Sequence, residues 1–223
     1  SAADDPSGTV CPFLDATGGG LPLLCTLNCA TVPEEVVAAY GLTRDALSAL
    51  AEAEPAGCEG LTLTPYFTGE RTPNLPDATG VLAGIRPGFL ARPGLVYRAA
   101  IEGATFALKA GLSTMQRHGL PQKLSELRVV GGGSQSARGR QTLADATGVR
   151  VACPTEPESA ALGAALQAAA VDAGAAEGEL GAWIARHHDP PVSDVVDPIA
   201  ANVDALQRAF ELYEERTAKM FAL

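Results

Sequence analysis

The hydrophobic and polar positions divide the chain into short apolar runs near its start and longer helical patterns after them. Residues 8–30 read as a hairpin. GTVCPFL is one strand, DATGGG a turn of turn-forming residues, and LPLLCTLN the second strand. A helix is expected from Thr31, which would cap it, with Pro33, Glu34 and Glu35 in its first turn and Gly41 at its close. Thr43 caps a second helix, RDALSALAEAE, which Pro55 and Gly57 end. GLTLTPYF is a short strand stopped at Pro65. The segment TGERTPNLPDATGVLAGIRPGFLARPG then reads as one proline-rich loop. It exceeds the roughly 12–15 residues of an ordinary connection, so it is functional or packed in its own right.

The clearest helix covers residues 95–118. Leu95, Ala99, Ile101, Ala104, Phe106, Leu108 and Leu112 are apolar, and Ala100, Gly103 and Ala107 form a small-residue face that permits close packing. A strand, ELRVV, then leads through GGGSQSA into a helix over RGRQTLADATG and a strand, VRVACP. A small-residue helix, ESAALGAALQAAAVDAG, follows. The tail carries a helix near 179–187, a loop DPPVSDVVDP and a final charged helix, NVDALQRAFELYEERTAKM. This alternation predicts an α/β domain with helices laid on parallel strands.

Composition narrows the function classes. The chain has 223 residues, 47% hydrophobic and 19% charged, which is globular and large enough to fold without disulfide or metal. A net charge of −10 and a pI near 4.7 disfavour a general nucleic-acid binder, although a local nest of backbone amides binds phosphate in an acidic protein. No run approaches the ~18 apolar residues of a membrane span. The polar opening SAADDPSG, without a basic and then apolar leader, reads as the middle of a longer protein. Cys11, Cys25, Cys29, Cys58 and Cys153 are odd in number and form no CxxC, so reduced, buried thiols of an intracellular, cytoplasmic protein are expected. The three histidines do not complete a zinc ligand set, and His187 and His188 read as surface residues.

Three motifs carry candidate chemistry. Gly131-Gly132-Gly133-Ser134 follows the apolar strand directly. Glycines let the backbone approach a ligand and reach positive φ, and the next helix, capped by Ser134 or Ser136, presents free N–H groups with a partial positive charge. Such a turn suits a nucleotide; it equally serves as a tight turn without a ligand. It lacks the Lys of a P-loop, and no carboxylate ends the next strand at Cys153–Pro154 where a dinucleotide fold needs one, so an NAD-linked oxidoreductase is a weak alternative. Glu158–Ala165, ESAALGAA, lets a helix end approach a flat ring or another helix. In Thr68–Asn74, TGERTPN, Glu70 and Arg71 either pair or cap backbone, and holding the loop is the simpler role.

Taken in order, LTLTPYFTGERTPNLPDATGVLAG, DATGGGLPLLCTLN, LRVVGGGSQS and ESAALGAA resemble the carboxyl-terminal domain of the FGGY carbohydrate kinase family, in its xylulokinase branch. The resemblance covers nearly the whole chain, most firmly residues 15–170. It implies a ribonuclease H-like, actin-like ATPase fold with a mixed sheet flanked by helices. Residues 1–223 would form one nucleotide-binding domain, without the amino-terminal sugar-binding domain. It further implies transfer of the γ-phosphoryl of ATP, with Mg²⁺ carried by the nucleotide, to D-xylulose. Gly131, Gly132, Gly133, Ser134 and Gln135 match the family's turn beside the adenosine. Asn28 and Thr31 match a turn that approaches the phosphates, and Gly163 lies in the helix flanking the base. Glycerol kinase relatives place an Asn after the turn; here the chain has Ser136–Ala137.

No catalytic base or metal ligand carries over, and Asp15 and Asp145 read as structural. The implied partners are ATP or ADP, a sugar held mainly by the absent domain, and that domain itself on an apolar face near the start. That face would promote self-association, a possible homo-oligomer, when uncovered. A catalytically incomplete binding module, or a kinase for ribulose or glycerol, stays open.

Overall fold

A computed structural model describes residues 5, 8–156, 158–176, 178–188 and 191–222. The chain opens with an antiparallel hairpin of β1 (Cys11–Leu14) and β2 (Gly20–Leu23), Cys11 opposite Leu23 and Leu14 opposite Gly20. The turn between them closes on Asp15, whose carboxylate accepts from the Thr17 hydroxyl and from the Thr17 and Gly19 amides at 2.7–2.9 Å. These bonds, the Thr17 hydroxyl first, hold its carboxyl below the usual aspartate range. Asp15 is therefore structural. Phe13 and Leu21, opposite each other across the hairpin, stand 53% and 49% exposed on one of its faces, and Leu14 stands 74% exposed on the other, so apolar surface does lie near the start.

Helix α1 (Thr31–Tyr40) ends at Gly41, whose φ of 61° lets its N–H reach back to the Val37 carbonyl. Its beginning departs from expectation: Thr31 is inside the helix, Ala30 precedes it, and no side chain caps it. A cap residue needs extended backbone, and Ala30 is already helical at φ −68°, ψ −25°. In α2 (Arg44–Glu52) the expected cap forms, with Thr43 Oγ1 accepting from the Ala46 amide at 3.2 Å.

Strand β3 (Thr62–Thr64) pairs antiparallel with β4 (Val81–Ala83). The expected long loop is thus interrupted by a strand. Three apolar residues between Gly80 and Gly84 are too few for a sequence pattern, and their partner lies about twenty residues back. The rest of the loop folds around Glu70, which is fully buried. Its carboxylate accepts from the amides of Leu27 (2.7 Å), Arg71 (2.8 Å) and Thr72 (3.4 Å) and from Asn28 Nδ2 (3.1 Å). Glu70 therefore caps backbone and does not pair with Arg71.

Helix α3 (Pro93–Arg117) is the axis of the fold and is buried continuously from Gly94 to Ala107. It packs on α1, α2 and β3. Gly103 makes the closest approach: a Cβ there would lie 2.0 Å from the Leu63 carbonyl oxygen. Within this core Arg98 Nε meets Glu102 at 2.9 Å. Arg98 also donates to the carbonyl of Glu54, two residues past the end of α2, and Glu102 accepts from the Gly57 amide at 3.1 Å. Two buried charges are tolerated because each carries further hydrogen bonds.

After α3 come β5 (Glu126–Arg128), α4 (Ala137–Thr147) and β6 (Arg150–Pro154), with β5 and β6 parallel. Helices α5 (Ser159–Asp172) and α6 (Leu180–His187) pack on each other. The stretch expected as a loop near 189–198 contains β7 (Val192–Val196), antiparallel to β6. Flanking prolines hide it in sequence, and β6 supplies the edge it needs. The expected mixed sheet is thus β5-β6-β7, while β1-β2 and β3-β4 are separate ladders. Helix α7 (Ala200–Phe221) closes the fold, with Phe210 and Tyr213 each about 5.6 Å from the Phe106 ring. Asp145 fixes its start, accepting from the Ile199 amide (2.7 Å) and Asn202 Nδ2 (2.8 Å), and is therefore structural. All five cysteines are free; Cys58 and Cys153 are buried and the others half-buried. His187 is exposed and stacks on Trp183, whereas His188 is half-buried. No helix among the described residues is long and apolar enough to cross a membrane.

Candidate nucleotide-binding site

Two helix beginnings face one cavity. The first is α1, entered through Cys29, Ala30 and Thr31. The second is α4, entered through the glycine turn and capped by Ser136, whose Oγ accepts from the Gly139 amide at 3.0 Å. The cavity between them has a volume of about 430 Å³. Its floor is the α3 face of Tyr97, Ile101, Ala104 and Leu108, and Gly132 and Gly133 form part of its wall. An apolar floor with amide-rich ends suits a flat heteroaromatic base joined to anionic groups, because each helix start carries about half a unit of positive charge.

The glycine turn folds as a short 3₁₀ segment, Gly132–Gln135. Positive φ is needed only at Gly131, at 79°. A Cβ on Gly132 or Gly133 would meet nothing within 4 Å, so the protein itself leaves that space open. Ser134 is buried, and its hydroxyl donates to the Gly131 carbonyl at 2.7 Å. The residue therefore shapes the turn from within.

Thr31, Gly132 and Gly133 are the sequence-derived candidates that meet in this cavity. Asn28 is buried just behind its wall, with Nδ2 donating to the Gly69 carbonyl at 2.6 Å and to Glu70. Its side chain ties the long loop to the start of α1. Ser134 and Gln135 line a smaller cleft of about 220 Å³ on the other side of the turn. Gly163 is exposed on α5, outside the cavity. Sequence reasoning passed over Tyr97, Arg44 and Arg140, which line the cavity. Arg140 had a readable signal: it lies four residues, one helical turn, past the Ser136 cap, and helical side chains lean toward the helix start.

The mouth holds the pair Arg44–Glu34 at 2.7 Å, both partners substantially exposed. Burial, and then the charge of Glu70, push the Cys29 thiol up from its ordinary value. A larger cleft, about 520 Å³, lies at the far end of α3 beside Thr72, Thr114 and Tyr213 and contains none of the predicted residues.

A model of the FGGY family of carbohydrate kinases, C-terminal domain, matches residues 16–171. The chain belongs to the FGGY family of carbohydrate kinases. This FGGY domain is 37% identical over 204 residues to a xylulose kinase of Streptomyces rubiginosus, covering 92% of the chain and 39% of that protein. It is similar to the solved xylulose kinase of Bifidobacterium adolescentis at 30% identity and a TM-score of 0.71, covering 94% of the chain and 40% of that structure. The gluconate kinase of Lactobacillus acidophilus superposes with a TM-score of 0.82 over 100% of the chain at 23% identity, a likeness of fold alone. The fold is accordingly the actin-like, ribonuclease H-like one of FGGY kinases. The chain spans about two fifths of the length of the relatives it matches.

Proposed function

We propose that this domain is the ATP-binding part of a cytoplasmic kinase that phosphorylates D-xylulose to D-xylulose 5-phosphate. The observation that carries the proposal is the convergence of the α1 start and the Gly132–Gly133 backbone on one cavity. Phosphoryl transfer asks little covalent chemistry of a protein and much positioning, so a rigid amide-lined cradle is the part this chain supplies. The sugar and the base that deprotonates its hydroxyl belong to the remaining part of such a kinase. Closure of that part over the cavity excludes water, which would otherwise hydrolyse ATP. The exposed apolar hairpin is the face it would meet.

Mg²⁺ fits this reading as an ion held by the phosphates. Glu34 is the carboxylate among the described lining residues, and Arg44 engages it. Gln135 and Gly163, which lie outside the cavity, are not assigned to the nucleotide. Thr31, Gly132 and Gly133 would lie against it, and Asn28, Gly131 and Ser134 would shape the backbone that does.

Calorimetry with ADP tests this on the wild-type chain and on Gly132→Val. The wild type binds; the valine, placed where the protein has no atom within 4 Å, leaves melting unchanged and lowers affinity about tenfold or more. A wild-type chain that takes up no ADP, or a valine variant that binds equally well, removes the glycine turn from the site.

A further inference from the structure

The glycine turn has few means of holding its own shape. Gly131, Gly132 and Gly133 bring no side-chain packing, and glycine loses more freedom on ordering than any other residue. Two groups hold it. One is Ser134, through its hydroxyl and its amide, both bonded to the Gly131 carbonyl. The other is Arg140, whose Nη1 donates to the Ser134 carbonyl. The Arg140 side chain is only 15% exposed, and its Nη2 lies 3.5 Å from Asp194 Oδ2 on β7. It runs between the nucleotide cavity and the small cleft behind the turn, and lines both. Its Nε is buried and has no hydrogen-bond partner in the protein. A buried guanidinium N–H without an acceptor is a standing cost to the fold.

We propose that Arg140 is a nucleotide-positioning residue, which fixes from beneath the glycine turn against which the nucleotide is laid. The role rests on the nucleotide reading above. It needs the planar fork of arginine: one arm holds Ser134 and the other is anchored by Asp194. A lysine supplies charge at one point and cannot span these places.

The test compares ADP binding by calorimetry with amide hydrogen exchange of residues 131–136 in the ADP-free chain. Arg140→Met and Arg140→Lys are each expected to bind ADP about tenfold more weakly than wild type and to exchange faster at the turn. Asp194→Asn keeps Arg140 but frees its anchor, and should shift both readouts in the same direction by less. It also carries the test if Arg140→Met fails to fold. Full rescue by Arg140→Lys would reduce the role to bulk charge and overturn the proposal. Unchanged turn exchange in all three variants would overturn it as well. A wild-type chain that binds no ADP refutes the nucleotide reading and this role together. Wild type that binds, with both Arg140 variants binding equally well, refutes Arg140 alone.

Discussion

Replacing Glu70 by alanine should cost this domain a large share of its stability. The side chain is 1% exposed and accepts four hydrogen bonds, from three amides and Asn28 Nδ2. Alanine leaves these donors facing a small void. Arg71 is exposed and its amide can find water, and Asn28 keeps its bond to the Gly69 carbonyl. The Leu27 and Thr72 amides and the second Asn28 hydrogen lose most. At about 1–3 kcal/mol for each bared donor, less what water entry recovers, the expected loss is about 3–5 kcal/mol. A domain of this size shifts its Tm by roughly 2–4 °C per kcal/mol, so melting should fall by about 10 °C. Urea unfolding gives the free energy directly, and a cycle with Asn28→Ala should show coupling above about 0.5 kcal/mol. Glu70→Gln, which keeps one acceptor oxygen but turns an NH₂ toward the donors, should lose less than alanine. An alanine variant within about 0.5 kcal/mol of wild type would refute the idea that Glu70 fastens the long loop to the entry of α1.

Two further outcomes follow from the geometry. Gly103→Ala should destabilise the domain by about 2–3 kcal/mol in urea unfolding, because its Cβ would fall 2.0 Å from the Leu63 carbonyl and α3 would have to move off β3. Cys29 lines the cavity with a thiol pushed up by burial and by Glu70, so iodoacetamide labelling, followed by peptide mass, should be slow at pH 8. Its rate should climb only as pH passes above the ordinary thiol range, since only the thiolate reacts, and saturating ADP should suppress it; labelling indifferent to ADP would place Cys29 outside the nucleotide cavity.

Local chemistry was enough to determine much of this protein. The Thr43 cap, the Gly41 stop, the α3 pattern and the strand–glycine turn–helix unit depend on neighbours a few residues apart, so they can be read along the chain. The ordered motifs likewise pointed to the FGGY family and its nucleotide turn before any contact was known. Strands β4 and β7 were not legible, because a short strand exists only against a partner edge, and β3 and β6 provide those edges from elsewhere in the sequence. The site divided in the same way. Gly132 and Gly133 announce themselves by lacking side chains, but sequence could not tell that Asn28 and Ser134 spend their polar atoms inside the fold. Nor could it place Arg140 beneath the turn beside Asp194 of β7, since tertiary packing brings together groups 54 positions apart and decides which polar atoms are satisfied and which are not.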